Sequence, residues 1–346
     1  SWDMDILSLI AGIYRANGKE EVLLSQSPAI LDSLVELAKV QSTEASNAIE
    51  GIVTTKARIR SLVADKTMPR NRDEEEIMGY RDVLNTVHEN YEYIDLTRHI
   101  VLQLHRDLYA YSHKGIGGQY KNVQNSIIER LADGSERERF RPLSPYETPA
   151  AIDDFCHSIN AVLQDKSVNP LLVIPVFIHD FLCIHPFNDG NGRMSRLLTT
   201  LLLYQNGYMI GKFISLEQKI ERTKDSYYAA LAQSGAGWHT GDEDIVPFVK
   251  YMLRVILAAY RDFESRIELL TMSLSAKDRI KIIISATIGK ITKSGILEKQ
   301  PDIAISTVEK ALKELVEEGF IERHGVGRST FYVKVSQKIS FHAKYI

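Results

Sequence analysis

The sequence predicts a mainly α-helical protein with one small β-hairpin set into it and a separate C-terminal α+β domain. Three observations carry this. Most of the chain places apolar residues at helical spacing. The interval from Gly115 to Pro145 breaks that spacing with Gly, Asn and Arg. After a polar joint near residue 275 the pattern changes to short helical periods followed by short β runs.

Taken in order, Ile30, Leu31, Leu34, Leu37 and Ala38 form an apolar stripe at i, i+3, i+4, i+7 spacing, with Pro28 near the first turn. Further helices are expected over Asp73–Tyr93, Thr97–Tyr109 and Thr148–Leu163, with Pro149 well placed at a helix start. Leu171–Ile184 is apolar nearly all round, as a central helix should be, and it delivers His185 to a loop. Ser126–Arg130 and Arg139–Pro142 read as the arms of a hairpin over an Asp133-Gly134 turn. A helix end at Ser265–Ser275 leads into the C-terminal part. There Asp278–Thr292 is apolar-periodic, and Ser306–Glu317 is a helix with Val308, Ala311, Leu312 and Leu315 inward. Ser306 with Glu309 three residues on reads as a capping box. Phe320–Glu322 and Thr330–Val335 are expected strands around Gly325-Val-Gly327. This is the order of a winged helix-turn-helix over 276–336, with Ile303–Leu315 as the turn and second helix and 337–346 as a tail.

Composition narrows the function classes. With 346 residues there is room for two or three domains. The 44% hydrophobic and 25% charged content is ordinary for a soluble globular protein, and a formal net charge of −3 demands neither nucleic acid nor an anionic membrane. Cys156 and Cys183 sit in no metal-ligand or redox spacing and have apolar flanks, so they are expected as buried thiols in a reducing cytoplasm. The start lacks a basic region before its short apolar run, so no signal peptide is expected. No run approaches the roughly 20 apolar residues that span a bilayer.

The chemistry concentrates in His185-Pro-Phe-Asn-Asp-Gly-Asn-Gly-Arg-Met-Ser-Arg196. Gly190 and Gly192 let backbone N–H groups converge on an anion, and a helix beginning near Arg193 adds its positive end. Arg193 and Arg196, three apart, share a helix face and carry forked donors for phosphates. Asp189 can hold Mg²⁺, which usually binds through one or two carboxylates plus substrate phosphates. His185 titrates near neutrality and is the natural general base. Pro186 stiffens the turn and Phe187 is an apolar anchor for the loop.

This run resembles the Fic signature, H-x-F-x-[DE]-G-N-G-R-x-x-R, at every specified position. The resemblance implies a Fic-type helical core over 96–270, with a flap at 115–145 and the signature loop at 185–196. Gly118-Gln-Tyr120 and Asn122-Val-Gln-Asn125 are similar to the family's lead-in to a β-hairpin flap that docks target proteins by strand addition. Upstream, Ser46-Asn-Ala-Ile-Glu-Gly51 matches the family's inhibitory motif, [ST]-x-x-x-E-[GN]. It implies that the region 1–95 carries an inhibitory helix at about 30–62, with Ser46 and Glu50 on one face and Glu50 set against Arg196. The implied reaction is AMP transfer from ATP to a Tyr, Thr or Ser hydroxyl. His185 would take the proton, Asp189 would hold Mg²⁺, and Asn188, Gly190, Asn191, Gly192, Arg193 and Arg196 would hold the phosphates. Tyr227 and Tyr228 are similar to a tyrosine pair beside the adenine pocket, although paired tyrosines on a helix are as often packing residues. His179 reads as structural, and Trp238-His239 is given no role. The C-terminal part resembles winged-helix domains that follow bacterial Fic cores.

Three alternatives stay open on sequence grounds. The same site can serve AMP removal, with Glu50 positioning a water. It can transfer another phosphate-linked group, although Gly-Asn-Gly favours AMP. A nucleotide-sensing transcriptional regulator is the third. The acidic residues Glu309, Glu314, Glu317 and Glu318 on the second helix weigh against strong DNA binding and toward protein or dimer contacts. The target protein, the modified hydroxyl and the oligomeric state are not legible, and self-modification is compatible with the arrangement.

Overall fold

The structure, a computed structural model, describes residues 3–24, 28–130, 135–165, 167–273, 275–287, 289–300 and 303–335. The expected Asp133-Gly134 turn and the 337–346 tail lie outside the described residues. Contacts divide the chain into two compact units. The first holds Ser1–Asn17 and Asp32–Phe263, and the second holds Gly18–Leu31 and Glu264–Ile346.

Helices come first along the chain: α1 (Met4–Leu24), α2 (Pro28–Ile49), α3 (Lys56–Val63), α4 (Arg72–Asn90) and α5 (Arg98–Leu108). Strands β1 (Ile127–Arg130) and β2 (Glu136–Phe140) follow, then α6 (Thr148–Gln164), α7 (Pro170–Ile184), α8 (Asn191–Gln205), α9 (Leu216–Arg222), α10 (Lys224–Gly235) and α11 (Val246–Ser273). The helix expected at about 30–62 is two helices. Gly51 takes φ +80°, a left-handed conformation open to glycine, and the chain turns there before Thr55 caps α3. In the stripe of α2, Leu31, Leu34 and Ala38 are buried, whereas Leu37 is exposed.

In the first unit α7 packs on α6 and α8, and α4 packs on α5 and α8. α8 is buried along nearly its whole length, from Asn191 to Tyr204. Such a helix sits at the centre and holds its polar first turn rigidly. At about 1.5–3 kcal/mol per buried large apolar side chain, Leu197, Leu198, Leu201, Leu202 and Leu203 anchor the active end far more firmly than any surface pairing. A smaller cluster of Ile59, Leu62, Ile77 and Met78 fastens α3 to α4. β1 and β2 pair antiparallel, from Ile127 opposite Phe140 to Arg130 opposite Glu136, with a bulge between Ile127 and Ile128.

The second unit contains α12 (Ala276–Ala286), β3 (Lys290–Ile291), α13 (Lys293–Lys299), α14 (Ile305–Glu317), β4 (Ile321–His324) and β5 (Phe331–Lys334). The strands form an antiparallel sheet in the order β3-β5-β4. Ile280, Ile284, Ile296, Val308, Leu312, Leu315 and Ile321 make its core. The capping box at Ser306 does not form. The chain enters α14 two residues earlier, from Ala304, and Glu309 instead pairs with Lys293 at 2.6 Å.

Candidate active site

Helix α7 ends on His185, which takes the left-handed conformation at φ 51°, ψ 64° while its N–H donates to Phe181 O at 2.9 Å. A non-glycine residue there costs on the order of 1 kcal/mol, so the surroundings must hold it. Lys121 does so from the lead-in: its Nζ donates to Ile184 O at 2.9 Å and its N–H to Pro186 O at 2.8 Å. Burial brings the Lys121 amine down to about 8. His185 Nδ1 lies 3.2 Å from Leu182 O. A carbonyl can only accept, so Nδ1 carries the proton and Nε2 keeps its lone pair. Burial first, and the Lys121 charge after it, lower His185 to about 4. It is therefore neutral near pH 7, as a base must be.

Beyond His185 the loop is closed by side chains that imitate backbone. Asn191 Oδ1 accepts from Phe187 N at 2.9 Å, and its Nδ2 donates to Phe187 O at 2.8 Å. Phe187 is fully buried and stacks on His105, ring centres 3.6 Å apart. Gly118 N–H donates to His105 Nδ1 at 3.1 Å, which leaves Nε2–H to donate to Asp189 O at 3.0 Å. Burial holds His105 down to about 4, so this tautomer stays fixed. Gly190, at φ 86°, starts α8, and a Cβ there would press on the Tyr109 ring.

The two arginines part company. Arg196 Nε donates to Ser46 Oγ, and its Nη2 donates to Ser46 O and to Glu50 Oε1, each at 2.8 Å. A Cβ at Gly192 would run into the Glu50 carboxylate, so Glu50 lies directly over the start of α8. Lys224 Nζ caps the end of α2 at Ile49 O, 2.6 Å away. Arg193 departs from the sequence expectation. It is fully buried, and its Nη2 meets Glu76 Oε2 and Tyr109 Oη at 2.7 Å. Here it braces the loop against α4 and does not face the cavity. Asp189 is half exposed and pairs with Lys114 at 2.6 Å, which also binds Glu76 at 2.8 Å. Burial works against the Asp189 charge, but Lys114 and Arg193 lower its carboxyl below the usual range. Asn188 also has a different neighbour from the one expected: it exchanges hydrogen bonds with Asn122.

Glu50, His185, Arg196, Tyr227 and Tyr228 line one cavity of about 330 Å³, with flap residues Arg139 and Phe140 on its rim. His179 and Cys183 reach the same cavity, and burial holds His179 down to about 4. Arg139 Nη2 donates to Tyr228 O. Trp238 Nε1 donates to Asp180 Oδ1 at 2.9 Å while the His239 ring stacks on Phe140, so the turn given no role from sequence fastens β2. Sequence reasoning missed Glu76, His105, Tyr109, Lys114 and Lys121. All but Glu76 lie in α5 or the loop after it, and only the lead-in residues beside Lys121 had been singled out.

Residues 95–203 match the family model described as Fic/DOC family. Over that segment the chain is similar to the Fic/DOC family. That segment holds the signature loop, the flap and α5–α8. A protein adenylyltransferase Fic of Nematostella vectensis is 24% identical over 222 residues, covering 60% of this chain and 45% of the relative. The protein of the same description from Drosophila melanogaster is 26% identical over 265 residues, covering 73% of this chain and 49% of the relative. The chain thus spans about half the length of these curated relatives. Among solved structures, a Fic family protein from Desulfovibrio desulfuricans G20 superposes with TM-score 0.64 at 21% identity, covering 97% of this chain and 98% of that one. A Fic domain containing signaling protein from Bacteroides thetaiotaomicron gives TM-score 0.59 at 23% identity, covering 74% and 94%. At these identities the structures speak to the fold alone. No helix among the described residues is long and apolar enough to cross a membrane.

Proposed function

We propose that the chain is a self-inhibited protein AMP-transferase. The observation that carries this reading is the Glu50 carboxylate at 2.8 Å from Arg196, in the cavity that His185 also lines. ATP would place its adenosine between Tyr227, Tyr228 and the flap, and its phosphates over the start of α8. There the first-turn N–H groups and Arg196 offer fixed positive charge that needs no reorganisation during reaction. A target hydroxyl, held by backbone pairing to the flap, would give its proton to His185 Nε2 as its oxygen forms a bond to the α-phosphorus. The bond from that phosphorus to the β-phosphate oxygen breaks, and pyrophosphate leaves. Arg196 grips the terminal phosphate. While Glu50 occupies Arg196 the phosphates are held out of line and attack fails.

The residues fit a bound Mg²⁺ in a limited way. Among the described residues no cluster of three metal-ligating side chains exists, so Asp189 would supply one carboxylate and the phosphates the rest. When bound, the ion would neutralise developing charge on the phosphates. The Lys114 ammonium now holds that carboxylate.

The second unit reads as a winged helix-turn-helix, with α14 as its second helix and β4 and β5 as the wing. Its acids already engage lysines: Lys277 pairs with Glu314 at 2.9 Å and also with Glu318, and Lys293 with Glu309. Such a face suits a protein partner better than a phosphate backbone.

Parallel reactions with ATP labelled at the α- or the γ-phosphate test the group transferred. AMP transfer puts α label and no γ label into protein in a Glu50→Gly variant. Incorporation of γ label would replace AMP transfer with phosphate transfer.

A further inference from the structure

Behind Arg196 the first unit buries a chain of polar side chains for which the signature motif does not account. Tyr80, on α4, is fully enclosed, and its hydroxyl donates to Glu217 Oε1 at 2.9 Å across 137 residues of sequence. Glu217 is buried as well, and Ser215 Oγ donates to its other oxygen at 3.2 Å. The Tyr80 proton is thereby committed to Glu217, and Ser46 and Arg196 lie near its oxygen. On the other side, Ser46 Oγ accepts the Nε–H of Arg196 at 2.8 Å. A buried polar cluster thus sets Arg196 and Ser46 beside Tyr80 and the carboxylate of Glu217.

We propose that Ser46, Tyr80 and Glu217 are positioning residues for Arg196, and that they keep its guanidinium aimed at the cavity after Glu50 has left. This rests on the reading of the cavity as a nucleotide site. Two of the three partners of Arg196, Ser46 O and Ser46 Oγ, do not involve Glu50 at all. Glu50 sits past the end of α2 with its side chain one-third exposed, next to the left-handed Gly51. It can turn outward alone. Ser46 cannot: it is wholly buried, as are Thr43, Ala45, Asn47 and Ile49 beside it. The chain after Gly51 is fastened again by Ile59 and Leu62. Helix α2 therefore serves both states. The residue just past its end blocks the site, and its last turn builds the site.

Calorimetric titration of ATP and of ADP into Glu50→Gly, alone and combined with Ser46→Ala, Tyr80→Phe or both, tests this. The expected result is that Glu50→Gly binds ATP more tightly than ADP by about tenfold, the ratio that about 1.4 kcal/mol supplies. Each added substitution collapses that ratio toward one and leaves ADP affinity in place. Combining the two adds nothing further, because one chain is broken only once. Glu217→Gln, which keeps an acceptor for Tyr80, retains most of the ratio. Unfolding midpoints are read for every variant, and Ser46→Ala carries the test if Tyr80→Phe does not fold. An unchanged ratio in a well-folded Ser46→Ala or Tyr80→Phe variant overturns the proposal. Equal binding of ATP and ADP by Glu50→Gly would instead remove the grip of Arg196 on the third phosphate, and the proposal would fall with the nucleotide reading.

Discussion

At the scale of single residues, His185 shows how much a helix end decides. The α7 terminus turns it left-handed, Leu182 O fixes its proton on Nδ1, and burial keeps it neutral. Its motif position was legible in sequence, whereas its tautomer needed the carbonyl three residues back in three dimensions. Nitrogen and carbon chemical shifts of the His185 ring should report the Nδ1–H neutral form at pH 7 and a midpoint below pH 5. An Nε2–H form, or a midpoint near the ordinary 6.5, would contradict a base poised on Nε2. Arg193 teaches the opposite lesson. Three-residue spacing put it on one face with Arg196, but Glu76 lies in a different helix far back in sequence and draws it inward. A buried arginine deprived of its carboxylate costs about 3–5 kcal/mol, which explains why spacing alone could not decide its role.

At the scale of elements, the active end was legible because local rules coincide there. An apolar helix, a loop with two glycines and a second helix with a polar start leave the chain little choice. The hairpin was legible from its interruption of helical spacing. β1 falls on its expected arm, whereas β2 (Glu136–Phe140) begins three residues before the arm expected at Arg139–Pro142. Where the reading missed, a competing local preference won. Gly51 broke the long helix in two. Ala304 started α14 ahead of the better capping residue. α13, with Gly295 inside it, carried too little periodicity to register. The lead-in at 118–125 was noticed as a motif, but its work was invisible: Lys121, Asn122 and Asn125 bond to the signature loop over more than sixty residues of sequence.

At the scale of the whole molecule, buried histidines set the pH response. Burial holds His88 down to about 3 and His105 and His179 to about 4. Unfolded, each returns to about 6.5. Between about pH 6.5 and 4 the unfolded chain thus binds protons that the folded chain refuses, so stability falls as pH falls through that window. Each of the three contributes up to about 1.4 kcal/mol per pH unit there. Below the ordinary range of glutamate, Glu74 adds to the loss, since Arg58 holds its carboxyl at about 2. Thermal unfolding should shift clearly downward from pH 7 to pH 5. A flat or rising midpoint would contradict the neutral buried histidines.

In the proposed function, one carboxylate on one arginine holds an AMP-transfer site closed. A hydrogen bond to a charged group is worth about 1.5–3 kcal/mol, or roughly ten- to hundredfold in rate. The direct measurement is α-labelled ATP with wild type, Glu50→Gly, and Glu50→Gly with His185→Ala, with intact mass read in parallel. The account predicts label and a gain of one AMP mass in the single variant, at least about tenfold above wild type, and none in the double variant although it still binds ATP. Equal labelling of wild type and Glu50→Gly, or labelling that survives loss of His185, would contradict it.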